Sequence, residues 1–142
     1  LMDQKETIFE RIKDKTSTET FVNMVSSNQT LIPDLFDIIH TDKGTQKFYC
    51  EKIIRKLSEI SPDMIYPYYS DVVQMVAGDN KFIKWGGIIT LTNLASEDFD
   101  KHFLDVFDMF FNLINSEVMI TAANVIENTW KIIKYYPIII WV

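Results

Sequence analysis

The chain repeats itself at an interval of 34 residues, and this periodicity constrains its fold more than any other feature. Pro33 recurs as Pro67, and Leu35 is followed at the same spacing by Tyr69 and then by Phe103. A unit of this length cannot bury its apolar face alone, so the pattern predicts several units stacked on one another. Three aspartates keep the same spacing, each before two apolar residues: Asp37, Asp71 and Asp105.

Each unit is predicted to be a pair of helices. In the second unit, apolar residues keep helical spacing on both sides of a break at residues 77–80. No segment alternates with period two, so no strands are predicted. In the third unit, the two helices are predicted to bury two apolar sets, Leu104, Phe107, Phe111 and Ile114 in the first and Val118, Ala122, Ile126, Thr129 and Ile133 in the second.

These units define the predicted domain organisation. The 142 residues form a single all-α domain, a right-handed α-α superhelix (α-solenoid) of about three helix-pair repeats with an N-terminal capping segment. The segments are 1–30 for the capping helices, 31–60, 61–96 and 97–134 for the repeats, and 135–142 for an apolar tail. The tail is expected to pack on the last helix or to be the first turn of a further element, and an exposed apolar end of this kind also invites self-association.

The middle unit contains Gly86 and Gly87 inside its second helix, which is apolar nearly all round. Each glycine costs roughly 1 kcal/mol relative to alanine in an exposed helix. We expect this cost to be offset by a close approach of the neighbouring helices, since glycine leaves room for them.

Composition narrows the function. Hydrophobic residues make up 47% of the chain, its net charge is −6, and it has one cysteine, Cys50. These values predict a folded cytoplasmic protein without disulfides, and no apolar run approaches the roughly 20 residues of a membrane span. The acidic balance disfavours nucleic acid as a partner. His40 and His102 have no second ligand at metal-binding spacing, so no metal, cofactor or catalytic centre is predicted.

Short motifs within residues 31–134 resemble the HEAT/armadillo superfamily of helical repeats. The first helices of two units contain a proline, at Pro33 and Pro67, as in HEAT repeats, and the stretch 79–84 is similar to the turn and second-helix start of those repeats. Residues 91–96 resemble the end of an armadillo repeat. The 34-residue period also admits tetratricopeptide repeats, although their Trp, Gly, Tyr and Ala pattern is not visible.

This resemblance implies a non-catalytic scaffold that binds a protein or peptide on the concave face of a solenoid. The alternative function is a HEAT-like enzyme such as a DNA alkylation-repair glycosylase. In armadillo repeats that hold peptides, an asparagine in the place of Asn93 bonds the peptide backbone, and Asn128 lies 35 residues further on. Alternatively, both amides satisfy polar groups inside the stack. The other candidate binding residues lie on the same two helices: Lys84, Trp85 and Asn124.

The three repeated aspartates also allow two interpretations. Asp37, Asp71 and Asp105 either lie on an outer solvated face or form an acidic row that attracts a basic partner. The second interpretation predicts binding that weakens as salt screens the charges.

Overall fold

The computed structural model describes Ile8, residues 10–12 and residues 17–136, and every regular element in that part of the chain is helical. The all-α prediction is therefore confirmed for these residues. The helices after residue 17 are α1 (Thr18–Ser27), α2 (Ile32–Thr41), α3 (Gln46–Ile60), α4 (Pro62–Ile65), α5 (Tyr69–Ala77), α6 (Lys81–Asn93), α7 (Phe103–Asn112) and α8 (Met119–Tyr135). Short 3-10 turns lie at Gln29–Leu31, Tyr66–Tyr68, Leu94–Glu97 and Leu113–Asn115.

Caps and prolines account for several helix boundaries. The side chain of Asn80 accepts the N–H of Ile83 at 3.1 Å at the start of α6, and such a cap stabilises a helix by about 1 kcal/mol. Pro62 lies in the first turn of α4, where its missing N–H costs nothing. Pro67 lies in the 3-10 turn that separates α4 from α5.

Two of the helix pairs pack within themselves, and the second helices also pack on one another. Helix α2 contacts α3, and α5 contacts α6; in addition α3 contacts α6, and α6 contacts α8. Helix α6 therefore lies between α3 and α8. This position explains why α6 is only weakly amphipathic, because a helix with neighbours on several sides buries several faces.

The residues that define the period lie in the core. Leu35, Tyr69 and Phe103 are all buried, as are Val72 and Val76 in α5 and Ile83, Gly87 and Leu91 in α6. This part of the core prediction is confirmed.

The core prediction for the third pair is wrong by one residue. In α8 the buried positions are Thr121, Val125, Asn128 and Ile132, whereas the predicted Ile126 and Ile133 are 61% and 37% exposed. In α7 Phe103 and Phe110 are buried and the predicted Leu104 is exposed, whereas the predicted Phe107 and Phe111 are partly buried against the core. The buried positions of α8 keep the 34-residue spacing, since Thr121 and Val125 follow the buried Gly87 and Leu91 of α6, whereas the predicted Ala122 and Ile126 lie one residue later. The predicted tail lies beyond Tyr136 for the most part and so outside the described residues.

The two glycines of α6 face different neighbours. A Cβ at Gly87 would lie 2.9 Å from Met75 Cβ and 3.0 Å from the backbone nitrogen of Val76. A Cβ at Gly86 would lie 2.2 Å from the carboxyl carbon of Glu51 in α3. The close approach of a neighbouring helix that the sequence predicted is therefore present at Gly87, whereas at Gly86 the space is filled by the side chain of Glu51.

Replacing Gly87 with alanine is expected to destabilise the fold by about 1–3 kcal/mol, because the backbone of α5 would have to move. Helix propensity alone predicts the opposite result, a stabilisation of about 1 kcal/mol, because alanine is a better helix former than glycine. Urea unfolding followed by circular dichroism measures this change. Gly86→Ala in a Glu51→Ala background is the control, because removal of the carboxylate makes room for the new methyl group. A stabilised Gly87→Ala variant would contradict the close approach.

Candidate functional site

A groove lies along the exposed side of α3, α6 and α8 and consists of two recesses that adjoin at Ile89. The first, the Lys131 recess, has a volume of about 440 Å³, and the second, the Trp85 recess, about 590 Å³. The Lys131 recess is lined by Ser58, Glu59, Pro62, Ile89, Thr92, Asn93, Ser96, Trp130, Lys131, Lys134 and Tyr135. The Trp85 recess is lined by Phe48, Glu51, Lys52, Arg55, Phe82, Trp85, Gly86, Ile89 and Asn124.

A chain of hydrogen bonds crosses the three helices at the Lys131 recess. Asn93 donates its Nδ2 to Ser58 Oγ at 3.1 Å and accepts at Oδ1 from Lys131 Nζ at 2.6 Å. Lys131 Nζ also donates to Asn128 Oδ1 at 2.8 Å, and Asn128 Nδ2 donates to the carbonyl of Asn124 at 2.7 Å. One ammonium group therefore connects the two predicted asparagines.

The two asparagines differ in their access to the groove. Asn93 is half-buried and lines the Lys131 recess, whereas Asn128 is only 8% exposed. Both amides have partners inside the helical packing, which is the arrangement that the structural interpretation of these residues expects. A peptide backbone would reach Asn93 more readily than Asn128.

The remaining candidate binding residues lie in two different places. Trp85 and Asn124 line the Trp85 recess, where Trp85 Nε1 donates to Thr121 Oγ1 at 2.9 Å. Lys84 lies outside both recesses, and its Nζ donates to the carbonyl of Val76 at 2.9 Å. A cation is favourable there, because the carbonyls at the end of α5 carry partial negative charge.

The groove carries charges of both signs. Glu51 is buried, and Arg55 Nε donates to its Oε2 at 2.9 Å. Burial raises the pKa of Glu51 above its ordinary value, and the neighbouring Arg55 offsets part of that rise. Lys56 and Glu59 form a second pair at 3.7 Å on the same helix.

The repeated aspartates lie away from the groove. Asp37, Asp71 and Asp105 belong to α2, α5 and α7, and none lines either recess. Asp71 Oδ1 lies 3.4 Å from His40 Nε2, and Asp105 is exposed. Both interpretations of these aspartates remain predictions.

No family model matches the chain, and no curated protein or solved structure does. Its function is therefore inferred from the geometry of its side chains. Among the described residues, no helix has the length and apolarity to cross a bilayer, and no three His, Cys, Asp or Glu side chains form a cluster suited to a metal ion.

A second polar cluster surrounds Asp98, before α7. Its Oδ1 accepts from Tyr66 Oη at 2.6 Å and from the N–H of His102 at 2.8 Å, and its Oδ2 accepts from the N–H of Phe103 at 2.9 Å and from Tyr136 Oη. The carboxylate thus caps α7 and fixes the end of α8. Perturbed carboxylates are often catalytic, but these four donors give Asp98 a structural role.

Cys50 is buried in α3. Burial raises the pKa of its thiol to about 12, with a smaller contribution from Asp42. The reactive thiolate is therefore scarce near neutral pH.

The sequence did not identify Lys131, Trp130 or Ser58 as groove residues. Their positions depend on separations of 35 residues between Ser58 and Asn93 and 38 between Asn93 and Lys131. The signal available in the sequence was a tryptophan beside a lysine, Trp130 and Lys131, on an amphipathic helix.

Proposed function

We propose that the chain is a non-catalytic interaction module that binds a peptide segment of a partner protein in the groove along α3, α6 and α8. In this proposal the helix pairs form a HEAT/armadillo-like right-handed solenoid, and the groove is its concave face. The packing of α3, α6 and α8 side by side supports this arrangement, because stacked second helices create an extended surface in such proteins.

The observation that carries the proposal is the exposure of aromatic side chains in both recesses. Phe82 is 61% exposed in the Trp85 recess, and Trp130 is 58% exposed in the Lys131 recess. Aromatic residues dominate the energetics of many protein interfaces. Around them lie amides and hydroxyls that suit the N–H and C=O groups of an extended peptide.

The groove favours a protein partner over the DNA-repair alternative. The groove contains carboxylates as well as cations: Glu51, which pairs with Arg55, and Glu59, which pairs with Lys56 beside the groove. A DNA-binding face gains its affinity from cations that neutralise successive phosphates. The single cysteine fits a cytoplasmic location for this module.

A random-peptide display selection tests the proposal. Peptides selected on the wild-type protein are expected to lose about tenfold or more in affinity for Phe82→Ser/Trp130→Ser, since exposed aromatic anchors account for much of such binding. The matched control is Met119→Ser/Ile120→Ser, which alters two exposed apolar residues outside both recesses. Isothermal titration measures each affinity, and circular dichroism checks that each variant folds. Selected peptides that bind all three proteins equally would contradict a groove site.

A further inference from the structure

Lys131 presents an incompletely neutralised cation to the groove. Its ammonium group donates to Asn93 Oδ1 and Asn128 Oδ1, which are both uncharged acceptors. An ammonium group has three N–H donors, so one remains for a further partner. Among residues 17–136, Lys131 makes no ion pair.

Partial burial raises the free energy of the charged form of Lys131. Lys131 is half-buried, and burial lowers the pKa of its ammonium group, which Glu59 offsets only in part. Glu59 itself pairs with Lys56. A carboxylate of a partner would supply the missing counter-charge, because a partly desolvated cation gains more from an ion pair than an exposed one does.

Two further lysines place positive charge along the groove. Lys134 lines the Lys131 recess, and Lys52 lines the Trp85 recess on the other side of Ile89. Neither forms an ion pair with another residue of the described chain from 17 to 136. Cations on both sides of Ile89 fit acidic side chains spaced along one extended peptide better than a single terminal carboxylate.

We infer that the groove is specific for an acidic peptide segment, with a Glu or Asp side chain bound to the ammonium group of Lys131 and its neighbours held near Lys134 and Lys52. This inference rests on the proposed function, because it names the chemistry of the peptide that the groove binds. Trp130 and Tyr135 lie beside the two lysines and offer stacking surfaces between the acidic positions.

Fluorescence anisotropy with defined probes tests this specificity. The probes are labelled decapeptides of repeating Glu-Tyr, Gln-Tyr and Lys-Tyr with amidated C-termini, a Gln-Tyr decapeptide with a free C-terminal carboxylate, and a single-stranded oligothymidylate. The Glu-Tyr peptide is expected to bind about tenfold or more tightly than any other probe and to weaken as salt is raised.

Variants locate the effect. Lys131→Met keeps the length of the side chain, removes its charge and is expected to weaken Glu-Tyr binding about tenfold. Lys134→Met, at an exposed position, is expected to weaken it less and covers the case in which Lys131→Met fails to fold. The control is Lys81→Met, which removes an equal charge at an exposed site outside both recesses and is expected to leave binding unchanged.

The outcomes distinguish this inference from the proposed function. If Gln-Tyr binds as tightly as Glu-Tyr and binding is lost in Phe82→Ser/Trp130→Ser, the groove binds peptides but the carboxylate specificity is overturned. Tighter binding of the Lys-Tyr peptide, of the free carboxyl terminus or of oligothymidylate would also overturn it, as would unchanged Glu-Tyr affinity in both Lys131→Met and Lys134→Met. If no peptide binds, both proposals fail.

Discussion

Replacing Asp98 with alanine is expected to lower the free energy of unfolding by about 3–5 kcal/mol, the range of a broken buried polar network. The change leaves two backbone N–H groups at the start of α7 and the hydroxyl group of Tyr66 without their acceptor, and Tyr136 keeps only the backbone carbonyl of residue 98. Urea unfolding measures the loss. Asp100→Ala is the matched control, since Asp100 lies in the same connection but is exposed, and surface changes cost about 0.5 kcal/mol or less. Similar losses in the two variants would contradict the role of Asp98.

The same cluster predicts a pH dependence. Burial raises the pKa of Asp98, but the hydrogen bonds from Tyr136, Tyr66 and two backbone N–H groups outweigh burial and hold it below its ordinary value. Its contribution to stability is therefore fully present above the unfolded-state pKa of about 4 and is lost as the pH falls through the lower folded-state pKa. The stability difference between wild type and Asp98→Ala is expected to shrink in acid. A difference that stays constant from neutral pH into acid would contradict this assignment.

Ile132→Ala is expected to destabilise the protein by about 2–5 kcal/mol, whereas Ile126→Ala in the same helix is expected to cost about 0.5 kcal/mol or less. Ile132 is 1% exposed and Ile126 is 61% exposed. The two variants carry the same substitution in α8, so helix propensity cancels and burial alone separates them. Thermal and urea unfolding both measure the contrast. Equal costs, or a larger cost at Ile126, would restore the core register that the sequence predicted.

The local structure was accessible from the sequence because its signals are local. Apolar spacing and the break at residues 77–80 indicated where α5 ends and α6 begins, whereas the single helix predicted for the first half of the second unit is interrupted at Pro67, between α4 and α5. The glycines of α6 were also interpretable, since a costly residue inside a helix requires a packing reason.

The core of α8 was accessible in principle, because the buried Thr121, Val125 and Asn128 lie 34 residues after the buried Gly87, Leu91 and Leu94. The predicted set was placed one residue later. The polar contacts were not accessible, because they join side chains at positions that are not equivalent in successive units. The Asp98 cluster joins residues 66, 98 and 136, which are separated by 32 and 38 residues and therefore match no repeat.

Because Cys50 is buried, the rate at which its thiol is alkylated reports how often the structure around it opens. No other thiol among the 142 residues competes for an alkylating reagent, and near pH 8 the native thiol is ionised on the order of a thousandfold less often than an exposed one. Modification therefore requires α3 to separate from its neighbours. The labelling rate measured with and without a peptide in the groove reports how strongly occupancy of α3, α6 and α8 holds these helices together, without an introduced dye or mutation.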